Sequence, residues 1–214
     1  MGTLILVRHG KTVLNSVDHS ERLRGWIDVP LDENGLQEAL ETAERVADHP
    51  VEELYCSDLQ RARQTAAAIA EATGLPIRPT AALRPWNVGS LAGQQVSTIL
   101  PILRQLEHDP SLPAPHGESF LAFCDRYAAE LNRLLALAAA TPNCIVAVTH
   151  VRNVLATPTV LAGGDRTRIP VQGGVKTGSL LWVEKRGRKW FAREDATDPI
   201  QMAASSELAS LAAA

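Results

Sequence analysis

The chain has 214 residues, enough for one large domain with a full hydrophobic core. Apolar residues make up 45% and charged residues 21%, the ordinary balance of a globular protein. The net charge of −3 gives no global attraction to nucleic acid or to an anionic membrane, so neither is expected as a partner. Apolar runs fall well short of the ~20 residues that a membrane helix needs. No basic stretch followed by a long apolar segment precedes the first strand, so a cytoplasmic location is expected. Cys56, Cys124 and Cys144 are widely spaced and odd in number, and they read as small buried hydrophobes in a reducing compartment.

Strand-like and helix-like segments alternate along the chain. Residues 3–7 read as a strand buried on both faces. A helix is expected from Glu33 to Asp48, with Leu36, Ala39, Leu40, Ala43, Val46 and Ala47 as its core-facing stripe and Pro50 beyond its end. Glu53–Cys56 is a short strand. Leu59–Thr73 is an Ala-rich helix capped by Ser57 or Asp58 and closed by Gly74. Val96–Glu107 is helical around Pro101. A long helix runs from just after Gly117 to Ala140, with Phe120, Phe123, Cys124, Tyr127, Leu131, Leu134 and Leu135 on one face. Cys144–Thr149 is an unbroken apolar strand, and Leu180–Glu184 with Lys189–Arg193 forms a hairpin about Gly187. The pattern predicts an α/β fold: a three-layer sandwich whose central sheet is mostly parallel, with helices on both faces. Residues 1–195 form a single domain and 196–214 a weakly helical or frayed tail.

Two of the apolar strands end in histidine, His9 and His150. In open α/β sheets, ligands bind beyond the carboxyl ends of the strands. Arg8 adds a fixed positive charge, and Gly10 allows a close backbone approach. Thr12 is expected to begin a helix whose amides would favour an anion. In SDLQRARQTA, residues 57–66, Arg61 falls in the first helical turn while Arg63 points elsewhere, so one of the pair turns inward.

These segments resemble, in order, the motifs of the histidine phosphatase superfamily, the phosphoglycerate mutase-like fold, in its phosphatase branch. RHGKTVLN resembles the RHG box. RLRGWIDVPLDENGLQEA (residues 22–39) resembles the segment after it. CSDLQRARQTA, PHGESF (115–120) and VTHVRNV complete the series, which spans roughly residues 3–184. The resemblance implies that His9 takes up a phosphoryl group and that Arg8, Arg61 and His150 hold it. It places Asn15 and Gly25 at the phosphate pocket, and Arg84 and Arg152, which flank matched motifs, as substrate contacts. The chemistry suits these residue types. A neutral imidazole attacks phosphorus, and arginine forks match phosphoryl oxygens without a metal ion. No cofactor is implied, and His19, His49, His108 and His116 lack paired metal-ligand spacing.

One segment departs from the family. Its phosphatases usually carry a glutamate after Leu-Arg, which protonates the leaving oxygen. Here the segment is LRPWNVGSLAG, residues 83–93, and the position is Pro85. General acid catalysis is typically worth about 10²–10⁴ in rate. Three outcomes stay open. Another carboxyl takes over, with Glu118 as first candidate and Asp28 as second. The substrate has a leaving group that needs no proton. Or the protein binds phosphorylated ligands without turning them over. The expected activity is a metal-independent phosphomonoesterase acting on a small phosphorylated substrate. A phosphoglycerate mutase and a non-catalytic binder are the alternatives, and a homodimer stays open. Specificity is expected from loops 16–24, 86–116 and 163–177.

Overall fold

The computed structural model describes residues 2–15, 22–169 and 174–194. Six strands form one mixed sheet: β1 (Thr3–Arg8), β2 (Val51–Ser57), β3 (Ile77–Thr80), β4 (Cys144–Thr149), β5 (Leu180–Arg186) and β6 (Lys189–Glu194). Their spatial order is β3-β2-β4-β1-β5-β6. The first four in that order are parallel to their neighbours, and β5 and β6 close one edge antiparallel. The helices are α1 (Glu33–Ala47), α2 (Gln60–Thr73), α3 (Val96–His108), α4 (Phe120–Ala140) and α5 (Val151–Leu161).

Alternate residues of the central strands feed two cores, as the two-residue period of a strand requires. Ile5, Val7, Cys56, Val146 and Val148 pack with Ala43 and Val46 of α1 and with Ala62, Ala66 and Ile69 of α2. Leu4, Leu6, Ile145 and Ala147 pack on the opposite face with α3, α4 and α5. This is the three-layer α/β sandwich that the alternating pattern predicts. No helix among the described residues is long and apolar enough to cross a membrane. The tail expected over 196–214 lies outside the described residues.

Three local expectations are corrected. Leu36 and Leu40 do not face the core: they are 47% and 51% exposed, and Ala47 is exposed as well. The buried face of α1 is Gly35, Ala39, Thr42, Ala43 and Val46. Ala39, Ala43 and Val46 of the expected stripe are buried, and the face is turned toward Gly35 and Thr42, because small residues let α1 approach the β1 loop. A Cβ on Gly35 would lie 2.0 Å from the Lys11 carbonyl oxygen, and one on Gly10 would lie 2.4 Å from the Gly35 oxygen. Neither Ser57 nor Asp58 caps α2. Its N-cap is Leu59, without a side-chain cap, because the Asp58 carboxylate is engaged by Arg84 instead. Finally, Thr12 begins a turn rather than a helix. The helix that presents its N-terminus near the paired strand ends is α5, which the sequence reading passed over.

Candidate active site

Strand register brings the two histidines together. In the parallel β1–β4 ladder Arg8 stands opposite Thr149, so the next residues, His9 and His150, leave the sheet side by side. The His9 amide continues the ladder by donating to the Thr149 carbonyl at 3.0 Å. Their ring centroids are 5.0 Å apart at 62°. β2 lies on the other side of β4, and the helix that follows it, α2, carries Arg61 in its first turn. Arg61 is buried while Arg63 is exposed, which settles the inward arginine. Arg8, His9, Arg61 and His150 line one cavity of about 360 Å³.

The His9 ring is oriented by its own loop. Nδ1 lies 2.7 Å from the Gly10 carbonyl oxygen, which can only accept, so Nδ1 carries the proton and Nε2 presents a lone pair. Burial, then the charges of Arg61 and Arg8, hold the His9 pKa well below the usual imidazole range. His150 is lowered in the same way, first by burial and then by Arg61. Among the described residues neither ring nitrogen of His150 has a hydrogen-bond partner, although the side chain is only 1% exposed. Two buried acceptor or donor positions aimed at a cavity are a site for a ligand.

Arg61 is held from behind. Nη1 donates to the Ile27 carbonyl at 2.7 Å and Nη2 to the Gly25 carbonyl at 3.0 Å. Burial and the charge of Arg24 push its pKa down to about 10, against a raising effect of Asp28. It stays cationic at neutral pH. The Thr65 hydroxyl accepts from the Gly10 amide at 3.0 Å and donates to the Arg61 carbonyl at 2.9 Å, joining the His9 loop to α2.

The other sequence candidates divide. Gly25 lines the cavity at φ +48°, and a Cβ there would meet Val88 Cγ2 at 2.5 Å. Arg152 lines it from the first turn of α5. Asn15 does not. Its Oδ1 accepts from the Thr12 amide and hydroxyl at 3.0 and 2.9 Å, which closes a turn. Arg84 is also outside the lining. It forks onto both Asp58 oxygens at 2.7 Å each and lies 4.5 Å over the Trp26 ring.

Glu118 is not placed to give a proton. It is absent from the cavity lining. Its Oε1 accepts from the Asn87 amide at 2.8 Å and from Arg126 Nη2 at 2.6 Å. The carboxylate braces a loop instead. Asp28 is exposed and accepts from the Gln60 amide at 2.6 Å. Pro85 itself lines the cavity, with its carbonyl held by Trp26 Nε1 at 2.8 Å and Arg126 Nη2 at 3.1 Å.

Sequence reading missed Arg22, Arg24 and Trp86, all of which line the cavity. The available signal was the i, i+2 spacing of Arg22 and Arg24 in an extended segment, which turns both to one side. Leu23, Trp86, Val88, Val96, Leu103 and Val151 give the cavity an apolar wall. Five arginines and no carboxylate line it among the described residues. No cluster of His, Cys, Asp and Glu fit to hold a metal ion occurs among those residues either.

The chain is similar to known proteins over most of its length. The profile of the histidine phosphatase superfamily (branch 1) matches residues 4–195. A glucosyl-3-phosphoglycerate phosphatase from Mycolicibacterium vanbaalenii is 30% identical over 193 residues, covering 86% of this chain and 84% of the relative. A probable phosphoglycerate mutase from Yersinia pestis is 33% identical over 146 residues, 66% of each chain. The structure of a mycobacterial glucosyl-3-phosphoglycerate phosphatase complexed with VO3 superposes with a TM-score of 0.76 at 27% identity, covering 91% of this chain and 98% of that one. A phosphoglycerate mutase from Bacillus anthracis shares the fold, with a TM-score of 0.74 at 22% identity over 91% and 92% of the two chains.

Proposed function

We propose that this chain, which belongs to branch 1 of the histidine phosphatase superfamily, hydrolyses small phosphorylated substrates through a phosphohistidine at His9. The observation that carries the reading is the pair His9 and His150, side by side above Arg8 and Arg61 in one cavity. The His9 loop leaves Nε2 as the free lone pair, and burial keeps the ring neutral, so the nucleophile needs no separate base. Nε2 attacks phosphorus as the P–O bond to the leaving group breaks. Arg8, Arg61 and the N–H of the His150 ring line the same cavity and can donate to the phosphoryl oxygens, where charge must be held in place. Arginine forks fit those oxygens, so the donor set supports a reaction that draws on no metal ion. In the second half water attacks the phosphohistidine and releases phosphate.

Two observations favour narrower alternatives. The Yersinia relative is named a probable phosphoglycerate mutase, which supports a phosphotransferase working from the same histidine. Pro85 in the cavity wall supports a phospholigand-binding protein without turnover. One experiment separates all three. The protein is mixed with substrates drawn from sugar phosphates, phosphoglycerates, glucosyl-3-phosphoglycerate, nucleotides and aryl phosphates, quenched in base, and probed for phosphohistidine. Phosphate release with an acid-labile phosphohistidine that His9→Ala abolishes supports the hydrolase. Phosphoryl exchange with 2,3-bisphosphoglycerate in place of release supports the mutase. Phosphate binding with neither supports the binder.

A further inference from the structure

We propose that the preferred substrate is a phosphoanhydride, an apolar diphosphate monoester whose terminal phosphoryl group passes to His9 and whose leaving group is itself a phosphate held by Arg24 and Arg152. This rests on the phosphohistidine reading above and names the leaving group that the same cavity takes.

The argument starts from the proton. An alkoxide leaving from a phosphate ester needs one, and general acid catalysis supplies about 10²–10⁴ in rate. The described lining offers no carboxyl group: Pro85 stands in the wall, Glu118 is bound to Arg126 outside it, and Asp28 is exposed. His9 and His150 are held neutral by burial and neighbouring cations. Arg61, though lowered to about 10, remains a poor acid at neutral pH. A phosphate monoester, by contrast, departs without a proton, because its second ionisation lies near about 6.

What the lining does offer is more positive charge than one phosphoryl group needs, five arginines in all among the described residues. Arg8 and Arg61 stand at the histidine pair. Arg24 lies close enough to bear electrostatically on His9, His150 and Arg61 together. Arg152 follows on the first turn of α5. Arg24 and Arg152 thus enlarge the cationic lining around the histidine pair to a charge that suits a second phosphate group. Leu23, Trp86, Val88 and Leu103 complete the cavity with apolar surface, which suits an apolar group on the far side of the second phosphate.

The steps balance. His9 Nε2 forms the N–P bond, the bridging P–O bond breaks, and its electron pair stays on the departing phosphate. Water then bonds to phosphorus and the N–P pair returns to Nε2. One proton of the water stays on the released phosphate and the other goes to solvent.

Phenyl diphosphate and phenyl phosphate carry the same apolar group and differ in the leaving group, so their kcat/KM values test the proposal. Phenyl diphosphate is expected to be faster by about 10²-fold, the scale of an acid not supplied. 4-Nitrophenyl phosphate, whose leaving group needs no proton but is not a phosphate, should fall between them. Arg152→Gln should lower the diphosphate rate about tenfold and the 4-nitrophenyl rate by a smaller factor, as loss of a charge-assisted contact to the leaving phosphate requires. Equal rates on the two phenyl substrates, with phosphohistidine still trapped, overturn the anhydride proposal alone. So does an equal effect of Arg152→Gln on both low-pKa substrates. No phosphohistidine from any of the three overturns the underlying reading instead.

Discussion

The two sides of the cavity are built differently. The capture side is fixed by the sheet: β1 and β4 end and α2 begins at one place, so strand register sets His9 beside His150 and the first turn of α2 brings Arg61 to them. The departure side is fixed by loops. Arg126 on α4 reaches across to the carbonyls of Ala82, Arg84 and Pro85 and to the Glu118 carboxylate. Trp86 Nε1 donates to the Glu118 carbonyl at 2.9 Å, tying the second loop to the first. Backbone ladders hold reacting groups rigidly, whereas loops are free to vary without disturbing the core. On the proposed function, this difference predicts that phosphate capture and leaving-group choice are separable, and substitutions should separate them.

The largest effect is expected on the capture side. His9→Ala should lower kcat/KM by at least about 10⁴-fold and abolish trapped phosphohistidine, since His150, although its ring centre is 5.0 Å away, lacks the carbonyl contact that orients the His9 ring for attack. Retention of a tenth of the activity would break the assignment. Next comes a gain on the departure side. Pro85→Glu places a carboxyl on the cavity wall and should raise the rate on an alkyl phosphate about tenfold or more, within the range of general acid catalysis. The same variant should barely change 4-nitrophenyl phosphate. A parallel change on both would show that the wall position acts through shape and not through a proton.

Arg126→Ala loosens the departure side only. It should cost roughly 2 kcal/mol in denaturant unfolding, through lost charge-assisted hydrogen bonds and a half-buried Glu118 left without its partner. Affinity for inorganic phosphate, read by calorimetry, should change less than about threefold, because Arg8, Arg61 and His150 are held by other elements. A large loss of phosphate affinity would show the two sides to be coupled. The smallest effect belongs to pH. His9 and His150 have lowered pKa values in the fold, so below the unfolded value of about 6.5 the unfolded chain takes up protons that the folded chain refuses. Stability is therefore fully present above pH ~6.5 and falls as pH drops toward the lowered folded values. Saturating phosphate should flatten that fall, since an anion beside the rings favours their charged form. Melting curves from pH 7.5 to 5, with and without phosphate, measure both.

The capture side was legible in the sequence because its residues sit at strand ends, one step beyond apolar runs that declare themselves. The departure side was not. Glu118 reads as a free carboxyl in PHGES, yet its partner Arg126 lies on the following helix and also holds carbonyls more than 40 residues away. Arg84 flanks a motif, but its fork closes on Asp58, 26 residues earlier. Such pairings depend on tertiary approach and leave no local period. Leu36 and Leu40 show the same limit inside a helix. Their spacing fits an apolar stripe, but the phase is decided by Gly10 and Gly35 touching backbone to backbone. Ile77–Thr80 is a four-residue edge strand containing a proline, too short to announce itself.

The position of β4 has a consequence for synthesis. It lies between β1 and β2, yet its first residue, Cys144, follows the last residue of β2, Ser57, by 87 positions and that of β1, Arg8, by 136. Until residues 144–149 leave the ribosome, β1 has neither of its neighbours, since β5 is later still. A nascent chain thus carries a strand with a central apolar run, Leu4–Val7, with both hydrogen-bonding edges open, a state prone to wrong pairing. The insertion of β4 covers the first of those edges, and the same event sets His150 beside His9, while β5 covers the second edge later. Half of the edge protection of β1 and the pairing of the two histidines thus arrive in a single step.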